Sequence, residues 1–171
     1  TQVLADLQTI YEHKRRLEGL KMCFIGDGNN NMAHSLIEGA VKVGMDISIA
    51  SPEGFMPNEE VVKNAQTVAN NTGSTIQISV DPQQMIVGAD VVVTDVFTSM
   101  GQEDETEERL QVFTPYQVND ELCKHANNDY IFLHCLPAHR GEEVTASIID
   151  GPHSVVFDEA ENRLHAQKAI L

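Results

Sequence analysis

The sequence predicts an α/β fold, in which a doubly wound, mostly parallel sheet of five strands carries helices on both faces. Short apolar runs of strand length alternate with longer segments of helical spacing along the whole chain. Three of these runs stop abruptly at polar loops, as strands do where they deliver side chains to one edge of a parallel sheet. The chain has 171 residues, 42% of them hydrophobic, which is enough for one domain with its own core.

Five runs have the length and apolar content of buried strands, and each ends at a turn or a polar residue. The last run stops just before Pro137, which has no N–H to continue a sheet. In chain order, the predicted strands are 20–25, 46–50, 75–80, 89–94 and 130–134. This arrangement of strands and crossover helices is Rossmann-like.

The segments between these runs carry apolar residues three and four apart, which is the spacing of an amphipathic helix. The second helix stops at Gly44, and a short one opens at Asp81 and Pro82, which suit an N-cap and a first turn. The acidic run 103–108 is predicted to be a solvated loop or helix face. In chain order, the predicted helices are 1–17, 29–44, 58–71, a short one from 82, 114–126, 142–149 and 159–171.

The composition excludes several classes of partner. The formal net charge of -15 argues against nucleic acid, and a phosphate-bearing ligand would need local arginines or helix N-termini. Arg163 is either such an anion clamp or a surface arginine with acidic neighbours. No apolar stretch approaches the roughly 20 residues that span a bilayer, so no membrane partner is expected. Cys23, Cys123 and Cys135 cannot all pair, which favours a reducing, cytoplasmic location.

The loop 26–31 after the first strand, Gly-Asp-Gly-Asn-Asn-Asn, begins like a dinucleotide-binding fingerprint. It has Asn31 at the third glycine position, and no acidic residue closes the second strand, so NAD binding is not favoured. Two interpretations of Asn30 stay open. It caps the following helix, or its amide binds a zwitterionic amino-acid head group as donor and acceptor.

Two further strand ends carry reactive side chains. Asp95 follows an apolar strand, so it is either a satisfied structural carboxylate or the counter-ion of a substrate ammonium. Ser99 and Met100 follow in the same loop and offer a hydroxyl and a backbone contact. Cys135 stands beside His134 where the last strand ends, but there is no C-x-x-C pair and no second ligand cluster, so no metal site is predicted.

Taken together, these motifs resemble the ornithine carbamoyltransferase family over nearly the whole chain. Aspartate carbamoyltransferases have a different residue at the position of Cys135, and putrescine-using relatives have a different loop at 99–101. The segments that carry the resemblance are 25–30, 94–102, 116–118, 132–137 and 157–163.

The resemblance implies transfer of the carbamoyl group of carbamoyl phosphate to the δ-amine of L-ornithine, which gives citrulline and phosphate in arginine biosynthesis. It implies no metal and no cofactor. The residues it implies for catalysis are Cys135 and Asp95. Those it implies for ornithine are Asn30, Asp95, Ser99, Met100, Cys135 and Leu136, and those for carbamoyl phosphate are Gln2, His134 and Arg163.

The resemblance covers only the second, ornithine-binding half of the family's chain, so residues 1–171 are expected to form one ornithine-binding domain. The Ser-x-Arg-Thr-Arg phosphate loop of the amino-terminal carbamoyl-phosphate domain is absent, and the chain alone is expected to be inactive. The full-length protein is expected to be a homotrimer or a multiple of one. Two alternatives stay open: a carbamoyltransferase for another amine such as putrescine, and a Rossmann-type nucleotide-binding regulatory domain.

Overall fold

Alternating strands and helices build one parallel sheet in the computed structural model, which describes residues 1–98, 101 and 103–171. The strands are β1 (Lys21–Ile25), β2 (Asp46–Ala50), β3 (Ile76–Ser79), β4 (Val91–Thr94) and β5 (Ile131–His134). Their order in the sheet is β3-β2-β1-β4-β5, and every neighbouring pair runs parallel. The predicted α/β fold is therefore confirmed, and its strand bounds shift by at most two residues.

Helices cover both faces of this sheet. In the described part of the chain, no helix is both long and apolar enough to cross a bilayer. Short 3₁₀ segments lie on either side of the fifth helix, at Glu103–Glu105 and Thr114–Tyr116. The α-helices are α1 (Gln2–Lys14), α2 (Asn31–Lys42), α3 (Glu59–Thr72), α4 (Pro82–Ile86), α5 (Thr106–Phe113), α6 (Asp120–Cys123), α7 (Ala146–Ile149) and α8 (Val156–Ile170).

The core consists of two apolar layers, one on each side of the sheet. Successive side chains of a strand point to opposite faces, so Met22 and Phe24 of β1 join the layer under α1, α2 and α3. Cys23 and Ile25 join the other layer, which contains residues of α4 to α7. Burial on both faces explains why the strands are continuous apolar runs in the sequence.

The local start and stop signals of the helices are confirmed. The Asp81 side chain caps α4 by accepting from the backbone N–H of Gln83 at 2.9 Å, and Pro82 occupies the first turn. Gly44 has a φ of 78°, a left-handed conformation that glycine adopts without steric cost and that ends the helical path after α2.

Two predicted helices are wrong, and one tertiary contact explains both. The segments 114–126 and 142–149 were each predicted to be continuous helices, but α6 and α7 occupy only their later parts. Val118 forms a parallel bridge with Val144, and the Val118 N–H donates to the carbonyl of Glu143 at 2.9 Å. Since both segments are extended at this bridge, the tertiary contact overrides their local helix preference.

Candidate functional site

The carboxyl ends of β1, β4 and β5 lie side by side, because β4 pairs with β1 on one side and with β5 on the other. The chain builds outward from β1 through β2 and β3, and then returns to the other side of β1. Ligands of open α/β sheets bind where the strand order reverses in this way, beyond the carboxyl ends. The loops that follow β1, β4 and β5 start at this edge, so the fold brings together the described residues of the three predicted polar clusters.

Asn30 is the N-cap of α2, as one of its two interpretations predicted. Its Oδ1 accepts from the backbone N–H of Ala33 at 2.8 Å. Among the described residues, no group accepts from its Nδ2, so the same side chain can still donate to a ligand. The loop before it depends on Gly28, because a Cβ at that position would lie 2.5 Å from Oγ of Ser51.

A buried ion pair that the sequence did not reveal fixes the base of this loop. The carboxylate of Asp27 accepts from the guanidinium of Arg109 at 2.6 Å, and both side chains are largely buried. Arg109 also donates from Nε to the carbonyl of Phe97 at 2.9 Å and stacks over the rings of Phe55 and Phe113. Helix α5 thus holds the loop after β1 through one arginine, which lies just after the acidic run 103–108 and carries no local signal of its role.

Asp95 and Cys135 meet at this edge. Oδ1 of Asp95 accepts from the backbone N–H of Val96 at 2.8 Å and from the thiol of Cys135 at 3.2 Å. Both side chains are half-buried, so neither is sealed away from a ligand. The predicted ornithine-binding residues Ser99 and Met100 lie outside the described residues.

The environment of Cys135 keeps its thiol protonated. Burial raises the pKa of Cys135, and the neighbouring charge of Asp95 and the hydrogen bond to it raise this pKa further. The carboxyl groups of Glu159 and Asp6 add smaller contributions in the same direction. The thiol is therefore a hydrogen-bond donor to Asp95 and not a base at neutral pH.

His134 is buried, and both of its ring nitrogens have partners. Nε2 lies 2.8 Å from Oε1 of Glu143, and Nδ1 accepts from the backbone N–H of Leu136 at 2.9 Å. Burial opposes ionisation of Glu143, but hydrogen bonds from His134 and from the backbone N–H of His139 outweigh it and lower the pKa of Glu143. The ring thus holds the loop, in which Leu136 has a left-handed φ of 58° before a cis bond to Pro137. Since both ring nitrogens of His134 are occupied, only its backbone is left to bind carbamoyl phosphate, and this role stays a prediction.

The side chain of Gln2 contacts two buried acidic side chains, and one of these connects it to the end of β5. Its Nε2 donates to Asp6 at 2.8 Å and to Glu159 at 3.3 Å. Glu159 in turn accepts from the backbone N–H of His134 at 2.8 Å. Arg163 is exposed and follows Glu159 by about one turn of α8. Burial raises the pKa of Asp6, and the charge of Arg163 opposes this shift. Three residues predicted for carbamoyl phosphate are thus neighbours, and their roles stay predictions.

Two sets of side chains bring metal-ligand atoms within 4.8 Å of one another: Asp95 with His134 and Cys135, and His139 with Glu142 and Glu143. In the first set, both nitrogens of His134 are occupied and the Cys135 thiol donates to Asp95, so hydrogen bonds explain the grouping. In the second, Nδ1 of His139 lies 3.9 Å and 3.7 Å from the two carboxylates, which suits ion pairs. Neither geometry calls for a metal ion.

Comparison with known proteins found a matching family model and close relatives of this chain. The family model described as "Aspartate/ornithine carbamoyltransferase, Asp/Orn binding domain" matches residues 18–171. Ornithine carbamoyltransferases of Carboxydothermus hydrogenoformans and Geobacillus stearothermophilus are 61% and 59% identical to this chain over 170 residues, which are 99% of this chain and 54% of each relative. The chain therefore spans about half the length of the curated relatives it matches.

Solved structures agree with this match. Ornithine carbamoyltransferase from Pyrococcus furiosus superposes with a TM-score of 0.94 at 54% identity, covering 99% of this chain and 54% of that chain. The enzyme from Gloeobacter violaceus superposes with a TM-score of 0.92 at 51% identity, covering 99% and 56%. At these TM-scores and identities, the fold of this chain is shared with both enzymes.

Proposed function

The chain belongs to the aspartate/ornithine carbamoyltransferase family, and on that premise we propose that it forms the ornithine-binding half of an ornithine carbamoyltransferase. The proposed reaction transfers the carbamoyl group of carbamoyl phosphate to the δ-amine of L-ornithine and gives L-citrulline and phosphate. The observation that carries the proposal is the contact between Asp95 and Cys135 at the reversal of strand order. It sets an anion for an ammonium group beside a protonated thiol.

The amino-acid end of ornithine binds between the loops after β1 and β4. Its α-ammonium pairs with Asp95, and its α-carboxylate accepts from the amide of Asn30, whose Nδ2 has no acceptor among the described residues. Ser99 and Met100 complete this subsite by their resemblance to the family motif. The proposal is supported by the half-buried position of Asp95, where a carboxylate and an ammonium attract each other more strongly than in water.

The other end of ornithine must present a neutral amine, because an ammonium has no lone pair for attack. An unperturbed alkyl ammonium has a pKa of about 10, so the site must favour the neutral form. The backbone carbonyls of Cys135 and Leu136 accept from the amine and aim its lone pair at the carbonyl carbon. The thiol of Cys135, which Asp95 keeps protonated, orients the amine and does not remove its proton. As the new C–N bond forms, the C–O bond to phosphate breaks, and the leaving phosphate takes the proton that the amine loses. Catalysis then rests on positioning and on stabilisation of the developing oxyanion.

Carbamoyl phosphate binds on the side of α1 and α8, near Gln2, the backbone of His134, and Arg163. Since the net charge of the chain is -15, an anionic substrate needs such a local cation, and Arg163 is exposed beside this group. The main phosphate contacts come from the amino-terminal half of the enzyme. We further propose that the whole enzyme is a cytoplasmic homotrimer, or a multiple of one, that needs no cofactor.

The proposal is tested with a joined protein, in which this chain follows the amino-terminal part of the Geobacillus stearothermophilus relative that it does not match. Calorimetry is performed at saturating carbamoyl phosphate with L-norvaline, which keeps the α-groups of ornithine but lacks the reacting amine. We expect norvaline to bind, and putrescine and NAD not to bind. Binding of putrescine without norvaline would replace the proposal by a carbamoyltransferase for another amine. Binding of NAD alone would favour a nucleotide-binding domain.

A further inference from the structure

Two carboxyl groups are buried together beneath the end of β5. Asp6 of α1 is 0% exposed and Glu159 of α8 is 1% exposed, and they are neighbours, because Nε2 of Gln2 donates to Asp6 at 2.8 Å and to Glu159 at 3.3 Å. A hydrogen bond between two carboxyl groups needs a proton on one of them, because an ionised carboxylate is only an acceptor. The proposed reaction assigns no role to either of these carboxyl groups.

The neighbours of the pair supply hydrogen bonds but no direct salt bridge among the described residues. Gln2 donates to both carboxyl groups, and the backbone N–H of His134 donates to Glu159. Oδ2 of Asp6 is buried and accepts no hydrogen bond from any other described group. A proton shared with Glu159 would supply the missing hydrogen bond. The charged or titratable side chains that act on the pair are those of Arg163, Asp95 and Cys135.

These neighbours do not offset the loss of water around two negative charges. Burial raises the pKa of Glu159 to about 10, and the charge of Asp6 and the hydrogen bond with it add to this shift. Burial also raises the pKa of Asp6, although Gln2 and Arg163 oppose that shift. Two carboxyl groups in contact cannot both ionise without a large cost, so the pair keeps one proton near neutral pH.

We propose that Asp6 and Glu159 share one proton and act as a positioning pair for the site at the sheet edge. The pair fixes Gln2 on α1 and the backbone N–H of His134 on β5, and it thereby fixes the start of the loop that carries Cys135. This role rests on the proposed function, because Gln2 and Cys135 are its proposed contacts to the two substrates. Loss of the proton leaves two buried like charges, which push α1 and α8 apart.

The shared proton predicts a specific pH dependence of unfolding. In the unfolded chain an ordinary glutamate ionises above about pH 4.5, whereas the folded pair keeps its proton up to about pH 10. Unfolding therefore releases one proton between these limits, and stability is lost as the pH rises. In Glu159→Gln the amide replaces the protonated acid. The ratio of the wild-type unfolding constant to that of Glu159→Gln should rise about tenfold per pH unit between pH 6 and pH 8.

Denaturant unfolding of the chain measures this ratio. Asp6→Asn removes the like charge but leaves Glu159 buried, so it should end the pH dependence at a lower pH than in the wild type. Glu161→Gln, the same substitution at an exposed site of α8, should follow the wild type. A ratio that stays constant from pH 6 to pH 8 would overturn the shared proton. If neither variant folds, infrared spectra of the wild type decide. The folded chain at pH 7 must show the band of a protonated carboxyl that shifts with ¹³C-labelled glutamate or aspartate, and its absence overturns the proposal.

The positioning role is measured separately in the joined protein. Glu159→Ala, which leaves the N–H of His134 without its acceptor, should lower kcat/KM at least about tenfold, and Glu159→Gln should restore most of it and keep activity to higher pH than the wild type. If both variants match the wild type in kcat, KM and pH profile, the positioning role is overturned. If the joined protein makes no citrulline, the positioning role falls with the proposed function, while the unfolding ratio still decides on the shared proton.

Discussion

At the scale of single residues, the structure changes the role expected of Cys135 from a group that removes a proton to one that orients the amine. An unperturbed thiol titrates near 8.5, which would make Cys135 a plausible group for removing a proton from the amine. Its burial and its contact with Asp95 instead raise the pKa of the thiol. The reactive form of cysteine is the thiolate, so the structure favours an orienting role over a basic one.

We predict that iodoacetamide alkylates Cys135 slowly at pH 7, and faster in Asp95→Asn, because the charge of Asp95 raises the pKa of the thiol. Peptide-resolved mass spectrometry of the folded chain measures the rate. Asp129→Asn is the matched control, since its exposed carboxylate pairs with Lys14. An alkylation midpoint near pH 8.5 in the wild type, or equal rates in the two aspartate variants, would contradict this assignment.

Asp95→Asn should also weaken binding of norvaline to the joined protein at saturating carbamoyl phosphate. The change keeps the shape of the side chain but removes the charge that pairs with the ammonium, which costs about 1.5–3 kcal/mol. Calorimetry should show this loss for norvaline, unchanged affinity for carbamoyl phosphate, and no effect of Asp129→Asn. Unaltered norvaline affinity would return Asp95 to a structural role.

The site residues that could be predicted from the sequence are those that directly follow a strand, since the end of the strand fixes where they lie. Asn30, Asp95 and Cys135 each follow a strand, so the pattern of apolar runs was enough to predict them at one edge. The pair of Asp27 and Arg109 joins residues 82 positions apart. Such a contact has no local spacing to mark it, so it could not be predicted from one sequence.

At the scale of elements, the correct predictions rest on signals local in the sequence, and the wrong ones concern segments shaped by contacts with distant parts of the chain. The strands and the long helices were predictable because two buried faces, caps and glycine stops are encoded locally. The segments around Val118 and Val144 were not, because each becomes extended only by pairing with the other. Helix α5 was foreseen only as an acidic surface at 103–108, and its inward-facing Arg109 was missed.

Arg109→Ala should strongly destabilise the chain. It leaves the largely buried carboxylate of Asp27 without its cation and removes the stacking on Phe55 and Phe113. Breaking a buried ion pair by removing one partner costs about 3–5 kcal/mol, which urea unfolding of the chain can measure. The control is Arg140→Ala, which removes an exposed pair with Asp150 and should have little effect. Similar losses in the two variants would contradict the structural role of the Asp27 pair.

At the scale of the whole molecule, the fold assembles one side of a two-substrate site. Its sheet edge gathers the groups proposed for ornithine, while the groups proposed for carbamoyl phosphate lie beside α1 and α8. The chain carries a net charge of -15 and spans 54% of the curated relatives. The activity proposed here therefore belongs to the combination of this domain with an amino-terminal half, to which we assign the main phosphate contacts.

Citrulline formation from ornithine and carbamoyl phosphate is the most direct measure of the central claim. Four samples are compared: the isolated chain, the joined protein, its Asp95→Asn variant, and the full-length Geobacillus stearothermophilus relative as the positive control. We predict that the joined protein forms citrulline, that Asp95→Asn reduces it at least about tenfold, and that the isolated chain forms none. A joined protein that folds and binds carbamoyl phosphate but makes no citrulline, or an Asp95→Asn variant as active as its parent, would contradict the claim that this domain binds and positions ornithine.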